Sequence, residues 1–557
     1  MHPVSTSIPS IMASKKERLA RCGMLCLALC ITVTLSRPAQ GAASSSPSVG
    51  RDTNSEPRAG LAIGAPGEDD DAGVVHALYA NSDGIPNQVG DRWWQGIDGI
   101  PGTRDMWDGF GTALASGDFN GDGYADLAVG VTGESVNGHG NAGMVQIIYA
   151  AHDGLTASGN VVFTQDDLHS TAEVNDAFGQ VLAVGDFNAD GYDDLAVGVP
   201  LEDVQVAADH AIDAGSVNVI YGSAVGLRAD YNRLLDEHIL GTSHEAGDQF
   251  GAALAACDFD GDGYDDLAIG VPGEDFGAIS PVEDVGSVQI VFGSADRLVT
   301  SGNQVLFQGL NSLDNAAEAG DRFGSSLAAG VFDGDGYCDL AVGVASEEPG
   351  TAYTNSGAVH VLYGSDAAFA PPSRNWLWSR NDTDVAGEIQ DYAYFGRVLA
   401  AGDFDGDGLD DLAIGTPYDD VGDEEDAGSV HVMYGGSEGI SDWADRVWYQ
   451  GGYVSCAAEE NDRFGWALAT GDVDGDGYDD LVIGTPYEHI GTVADAGMAQ
   501  VFYGGSWGIP QEPRYDNLHQ NKGSTAGSSE PEDRFGAAAA VLEAGPHKIY
   551  LPLIVRS

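Results

Sequence analysis

A Phe-Gly pair recurs seven times along this chain, at Phe110, Phe178, Phe250, Phe323, Phe395, Phe464 and Phe535, with spacings of 68 to 73 residues. Self-similarity at a fixed period means one structural unit repeated. After each of the first six pairs comes a small-residue apolar segment, then an acidic loop, then a Leu-Ala-Val-Gly-like segment. Copies of the last begin at Leu61, Leu127, Leu195, Leu267, Leu340, Leu412 and Leu481. A third segment ends in Tyr or Phe and carries a polar second residue in every copy: His76, Gln146, Asn218, Gln289, His360, His431 and Gln500. Apolar-polar alternation with period two is a strand signal. A more variable fourth segment shows at Trp93–Gln95, Val161–Thr164, Val305–Gln308, Trp376–Ser379 and Val447–Gln450. The 79 glycines supply the many tight turns such a pattern needs. Four antiparallel strands repeated seven times predict an all-β, seven-bladed β-propeller over residues 59–545.

The two ends of the repeat complement each other. The first copy has its second strand at Leu61 with no Phe-Gly segment before it, and the last has Phe535-Gly536 and Ala537–Leu542 with nothing after. The final strand is therefore expected to complete the first blade, covering an edge that would otherwise be open.

Residues 1–43 read as a secretory signal peptide. Lys15, Lys16, Arg18 and Arg21 precede an apolar run from Cys22 to Leu35, and small residues follow near Ala39 and Gly41. A membrane anchor is the alternative, but 14 apolar residues are short for a ~30 Å hydrocarbon core. Residues 44–58 read as a flexible linker. The apolar tail 546–557 lies outside the repeats, as an extra edge strand or a sorting or anchoring signal. Removing residues 1–43 takes five basic residues and one acidic, leaving 18 positive against 86 negative charges, a formal −68. Such a surface repels phosphates and anionic lipid, so nucleic acid is not an expected partner. Cys257, Cys338 and Cys456 remain after the signal, an odd number without metal-ligand spacing, and are expected as buried thiols rather than a disulfide framework.

The acidic loops carry the clearest chemistry. Six share a nine-residue pattern with oxygen donors at positions 1, 3, 5 and 9, a backbone carbonyl at position 7 and Gly at position 6. The candidate ligands are Asp118, Asn120, Asp122, Tyr124 and Asp126; Asp186, Asn188, Asp190, Tyr192 and Asp194; Asp258, Asp260, Asp262, Tyr264 and Asp266; Asp333, Asp335, Tyr337 and Asp339; Asp403, Asp405, Asp407, Leu409 and Asp411; and Asp472, Asp474, Asp476, Tyr478 and Asp480. An all-oxygen set on a flexible loop suits Ca²⁺, which takes six to eight oxygens at ~2.3–2.6 Å. Apolar residues at position 12, such as Val129 and Ile269, and strands on both flanks set these loops apart from EF-hands. Val331 stands where the others have their first Asp, so about five well-formed sites and a weakened sixth are expected. Recurrence in almost every blade favours a structural brace over a ligand site.

Phe-Gly, the Asp-rich loop and Gly64-Ala65-Pro66, varied as Gly270-Val271-Pro272 and Gly415-Thr416-Pro417, resemble the FG-GAP repeats of the integrin α-subunit propeller and of related bacterial surface proteins. The resemblance covers about residues 59–545. It implies calcium in the acidic loops and a ligand bound on the opposite face. The chain departs from a full integrin α subunit in showing no long all-β stalk, no transmembrane helix and no inserted adhesion domain.

The strand order places the acidic loops, which join strands 1 and 2, on one face. The 2–3 and 4–1 connections leave from the other, where repeat proteins usually place recognition. The 2–3 connections open on Glu68, Glu134, Glu202, Glu274, Glu347, Asp419 and Glu488, a recurrence that suggests turn closure. Trp107, Phe276, Tyr353, Tyr392, Tyr394, Tyr418 and Tyr487 put aromatics on or near that face, for ligand contact or for packing between blades. His76, His360 and His431 share a strand register with Gln and Asn and read as ordinary strand positions. The expected function is a secreted or cell-surface, calcium-binding adhesion or recognition module for an extracellular protein or glycan, with no integral membrane segment after signal removal. The alternative is a calcium-assisted extracellular enzyme, a polysaccharide lyase or phosphodiesterase, on the same scaffold. Such an enzyme should break the repeat in one cleft, and no hydrolase or phosphate-loop motif stands out.

Overall fold

The computed structural model describes residues 60–542 apart from 81–83, 86–90, 98, 207–208, 277–281, 310–312, 314, 350–352, 370–373, 383–384 and 521–527. The expected signal peptide 1–43, linker 44–58 and tail 546–557 lie outside the described residues.

Seven four-stranded antiparallel sheets form a ring, a seven-bladed β-propeller. Blade 1 joins the two ends of the described chain. Its strand 1 is Ala538–Leu542, and strands 2 to 4 are Gly60–Ala65, Val74–Tyr79 and Asp91–Trp93. Gly60 pairs with Leu542 and Gly64 with Ala538, as the complementary ends required. Blades 2 to 7 begin with Phe110–Gly117, Val181–Gly185, Ala253–Cys257, Ser326–Gly330, Val398–Gly402 and Ala467–Gly471. The fourth strands of blades 3 and 7, Arg228–Leu235 and Tyr515–Leu518, are charged or polar enough to carry no clear strand pattern.

The repeated residues are those that join one blade to the next. Each of the seven Phe side chains is fully buried. Each Phe N–H donates to the residue before the Gly that opens strand 3 of the preceding blade, as in Phe110 to the Ala72 carbonyl at 3.1 Å and Phe464 to Ala427 at 2.9 Å. The Gly of the Gly-x-Pro segment stacks on the Gly of the next Phe-Gly pair: a Cβ on Gly64 would lie 2.2 Å from the Gly111 carbonyl oxygen. Only glycine fits that approach. The aromatic that ends strand 3 also reaches across. Tyr79 Oη accepts the Leu155 N–H at 2.8 Å and Tyr434 Oη the Ile509 N–H at 3.0 Å, with matching bonds from Tyr149, Tyr221, Tyr363 and Tyr503. Phe292, in blade 4, has no hydroxyl to do so.

A third joint corrects the expectation for the cysteines. The residue at loop position 8 of one blade faces loop position 1 of the blade before. Asp193, Asp265, Asp410 and Asp479 accept the backbone N–H of Asp118, Asp186, Val331 and Asp403 at 2.7–2.9 Å. A Gly directly before position 1, such as Gly117 or Gly402, leaves room for that carboxylate. Between blades 4 and 5 the same two places hold Cys257 and Cys338, joined by a disulfide with a Cα–Cα distance of 6.0 Å, within the span a bridge needs. The cysteines are 81 residues apart, about one repeat plus the loop, so neighbouring blades bring together what the sequence keeps distant. Among the described residues, Cys456 is the free thiol.

Candidate functional site

The six acidic loops lie together on one face, each turning from strand 1 into strand 2. In five of them the first Asp is held by the loop's own backbone: Asp258 accepts N–H groups from Gly261, Asp262 and Gly263 at 2.7–3.0 Å, and Asp403 and Asp472 do the same. Asp118 and Asp186 accept from positions 5 and 6. Val331 removes both this clasp and a candidate ligand oxygen. Position 7 covers the neighbouring loop, Tyr192 against Gly121 and Tyr337 against Gly261.

Position 9 has a second role. Asp266 accepts N–H groups from Phe259 at 3.0 Å and Gly293 at 2.9 Å, tying its loop to the turn after strand 3. Asp339, Asp411 and Asp480 repeat the arrangement. Burial pushes Asp266 up to about 8 and Asp411 to about 9, with nearby loop carboxylates adding to the shift. A buried anion of this kind favours a proton or a bound cation.

The loops suit a hard cation. Carboxylate oxygens converge within 4.8 Å in three of them: Asp258, Asp260 and Asp262; Asp403, Asp405 and Asp411; Asp472, Asp474 and Asp480. Loops 118–126 and 186–194 carry Asn at position 3 instead, and Asn188 Oδ1 is buried with no donor, as is Asp474 Oδ1. A buried oxygen without a donor suits a bound cation. In loop 331–339, Asp333 pairs with Arg374 at 2.9 Å, and Arg514 makes the same pair with Asp474 at 3.1 Å in a loop that keeps its first Asp.

On the opposite face, turn closure falls to the backbone: the carbonyls of Glu68, Glu134, Glu202, Glu274, Glu347, Asp419 and Glu488 each accept the N–H of the Gly before strand 3. Their carboxylates do something the sequence reading missed. Each faces a buried side chain at the end of strand 4 of the preceding blade. Gln95, Gln308, Gln450 and Gln520 donate to Glu134, Glu347, Glu488 and Glu68 at 2.6–2.7 Å, and Gln165 donates to Glu202. Arg380 takes the amide's place opposite Asp419, at 2.7 Å, and Glu237 takes it opposite Glu274. A further Asp two residues before the Phe, present as Asp108, Asp176, Asp248, Asp321, Asp462 and Asp533, lies beside most of these carboxylates. Burial, then the neighbouring carboxylate, pushes Glu202 up to about 8, Asp462 to about 8 and Asp321 to about 7.

The aromatics of this face separate into groups. Tyr392, Tyr394, Tyr418, Trp466 and Tyr487 form one chain across blades 6 and 7, with successive ring centroids 5.5–6.4 Å apart. Arg463 sits 4.8 Å from the Tyr418 centroid, 5.3 Å from Trp466 and 4.9 Å from Tyr487. The other blades have Gly, Leu or Ser at the position of Tyr418 and Tyr487, so the array breaks the repeat. Tyr353 lines a cleft of about 370 Å³ beside Arg380 on the same face. Trp107 stands exposed, and Phe276 stacks on Phe307 at 3.8 Å. A larger cleft, about 580 Å³, opens on the acidic-loop face, lined by Asn188, Arg228, Tyr231 and Arg297 among others. His76, His360 and His431 are buried strand residues; burial pulls the first two down to about 4, which keeps them neutral. No helix among the described residues is long and apolar enough to cross a membrane.

The FG-GAP repeat model matches residues 110–148, 178–217, 250–291, 323–362, 395–433 and 464–502, the strand 1–3 portion of blades 2 to 7. Integrin alpha pat-2 of Caenorhabditis briggsae is 32% identical over 253 residues, covering 43% of this chain and 18% of that protein. Phosphatidylinositol-glycan-specific phospholipase D of Rattus norvegicus is 38% identical over 165 residues, covering 29% of this chain and 18% of the other. The chain thus matches under a fifth of the length of either relative. The solved Dos1 propeller aligns over 86% of this chain and 91% of its own at 12% identity, with a TM-score of 0.37.

Proposed function

Because the chain is an FG-GAP repeat, integrin-α-like β-propeller, we propose that it is a secreted or cell-surface recognition module whose acidic loops hold calcium and whose opposite face binds an extracellular protein or glycan. The observation that carries this reading is the Arg463 array. A scaffold needs the same contacts in every blade, and most conspicuous residues of this chain obey that rule. Tyr418, Trp466 and Tyr487 do not, and they gather round one half-buried guanidinium on the face of the variable connections. Half-buried aromatic rings offer stacking surface to sugar rings or to apolar side chains, and with Arg are the residue types enriched where binding energy concentrates.

Calcium enters as a brace. Five loops have a complete oxygen set, and the buried donor-less oxygens of two of them, Asn188 Oδ1 and Asp474 Oδ1, support a cation there. The test is a glycan and matrix-protein binding screen with the wild-type chain and the Trp466→Ala and Tyr487→Ala variants. Binding that both variants abolish, with melting unchanged, is expected. A ligand bound equally by both variants would move the site elsewhere, the Tyr231–Arg297 cleft first.

A second reading is a phosphodiesterase-type enzyme. Beside the array, Glu459, Asp462 and His489 place ligand atoms within 4.8 Å of one another, and the phospholipase similarity points the same way. Hydrolysis of a phosphodiester by the purified chain, lost in His489→Ala, would establish it.

A further inference from the structure

The ring solves one electrostatic problem seven times, and two joints depart from the common solution. Five of the carboxylates that open the 2–3 connections face an amide donor, and Asp419 faces the Arg380 guanidinium. At the blade 5–6 joint, where the arginine stands, the second acid is also missing, because Ala393 replaces Asp. At the blade 3–4 joint the change runs the other way: Glu237 replaces the amide while Asp248 and Glu274 are both kept.

Each of these three side chains puts a carboxylate oxygen within 4.8 Å of the other two. Glu237 is 1% exposed, at the start of the short helix Glu237–Leu240. Its Oε1 accepts the Gln289 amide at 3.2 Å, but its Oε2 is buried and meets no donor, and the same is true of Glu274 Oε2. Asp248 accepts the Glu245 N–H. Three bare carboxylates cannot share a desolvated pocket; a positive charge must join them. All donors are oxygen, which selects a hard ion such as Ca²⁺, Mg²⁺ or Mn²⁺.

We propose that Glu237, Asp248 and Glu274 form a divalent-cation site between blades 3 and 4, on the face opposite the acidic loops. The site is independent of whether those loops hold calcium. The cation does there what an amide or a guanidinium does at the other six joints: it ties the end of one blade to the first turn of the next.

The competing occupant is a proton shared within the trio, and stoichiometry separates the two. The full-length chain, saturated with Mn²⁺ and desalted, is weighed by native mass spectrometry beside Glu237→Gln, which restores the amide found at five other joints. Loss of one ion equivalent is expected in the variant, with an unchanged circular dichroism spectrum. Asp258→Asn serves as a control for a loop site, and its combination with Glu237→Gln should show an additive loss. Equal metal content in wild type and Glu237→Gln would overturn the proposal in favour of the proton. Should Glu237→Gln not fold, the converse variant decides. Gln308→Glu builds the same trio with Asp321 and Glu347 and should gain one equivalent; no gain would overturn the proposal as well.

Discussion

The Asp410 carboxylate accepts the backbone N–H of Val331 at 2.8 Å, and the Asp410 N–H donates back to the Val331 carbonyl at 2.8 Å. The loop that lacks its first acid is therefore still held where the intact loops are held. Its defect is one missing side chain. Val331→Asp is expected to add one equivalent of bound Ca²⁺ in a calorimetric titration. Unchanged stoichiometry would show that position 1 is not a ligand.

Calcium removal should lower the melting temperature. A ligand that binds only the folded state at about 100 times its Kd contributes about 2.7 kcal/mol per site, and 1 kcal/mol moves the melting of a domain this large by about 1 °C, so a chelator should lower it by about ten degrees if five loops are occupied. Scanning calorimetry with and without chelator checks this, and coincident curves would rule out the brace.

The disulfide offers a sharper substitution than simple removal. Cys257→Ser with Cys338→Ser should cost about 2–4 kcal/mol. Cys257→Gly with Cys338→Asp installs the pair used at the four equivalent joints and should recover part of that loss. Denaturant melts of the two double variants make the comparison; equal midpoints would mean that the Gly–Asp joint adds nothing.

Tyr434→Phe should destabilise by about 1 kcal/mol, the ordinary net worth of one hydrogen bond, because Ile509 N–H then loses its acceptor. Phe292 shows that the ring tolerates the change once. A fold that collapsed on this substitution would contradict the assignment of the hydroxyl to a single joint.

The carboxylates on the face opposite the acidic loops set a pH dependence. Burial raises Glu202 and Asp462 to about 8 and Asp321, Glu488 and Asp533 to about 7. These groups bind more protons folded than unfolded, so their contribution is complete below about pH 4 and is lost as pH rises through 7 to 8. In chelator, the melting temperature is expected to fall between pH 5 and pH 8. A rise across that interval would refute it.

Much of this was legible because a propeller writes its plan once per blade. Phe-Gly, the acidic loop and the Tyr that ends strand 3 announced the blades, and the mismatched ends announced the closure. What stayed hidden are contacts one repeat apart. Gln308 and Glu347, or Asp265 and the Asp186 amide, touch only because blades are neighbours, and no local pattern marks them. The Cys257–Cys338 bridge is hidden for the same reason. Setting the copies beside one another would have placed Cys257 in a column of glycines and Cys338 in a column of aspartates. Glu237 stands out in that comparison too, as the acid in a column of amides.

Pairing Gly60 with Leu542 also fixes an order of events. Blades 2 to 7 are each made from one continuous stretch and can form as soon as that stretch is available. Blade 1 cannot: its second strand is made first and its innermost strand last, with nearly the whole described chain between them. Closing so long a loop gives this sheet the most distant strand pairing among the described residues, and distant contacts form slowly. Until Ala538–Leu542 arrives, the ring is an open arc whose first strand, Gly60–Ala65, has one edge uncovered, exposed to whatever can add a strand to it.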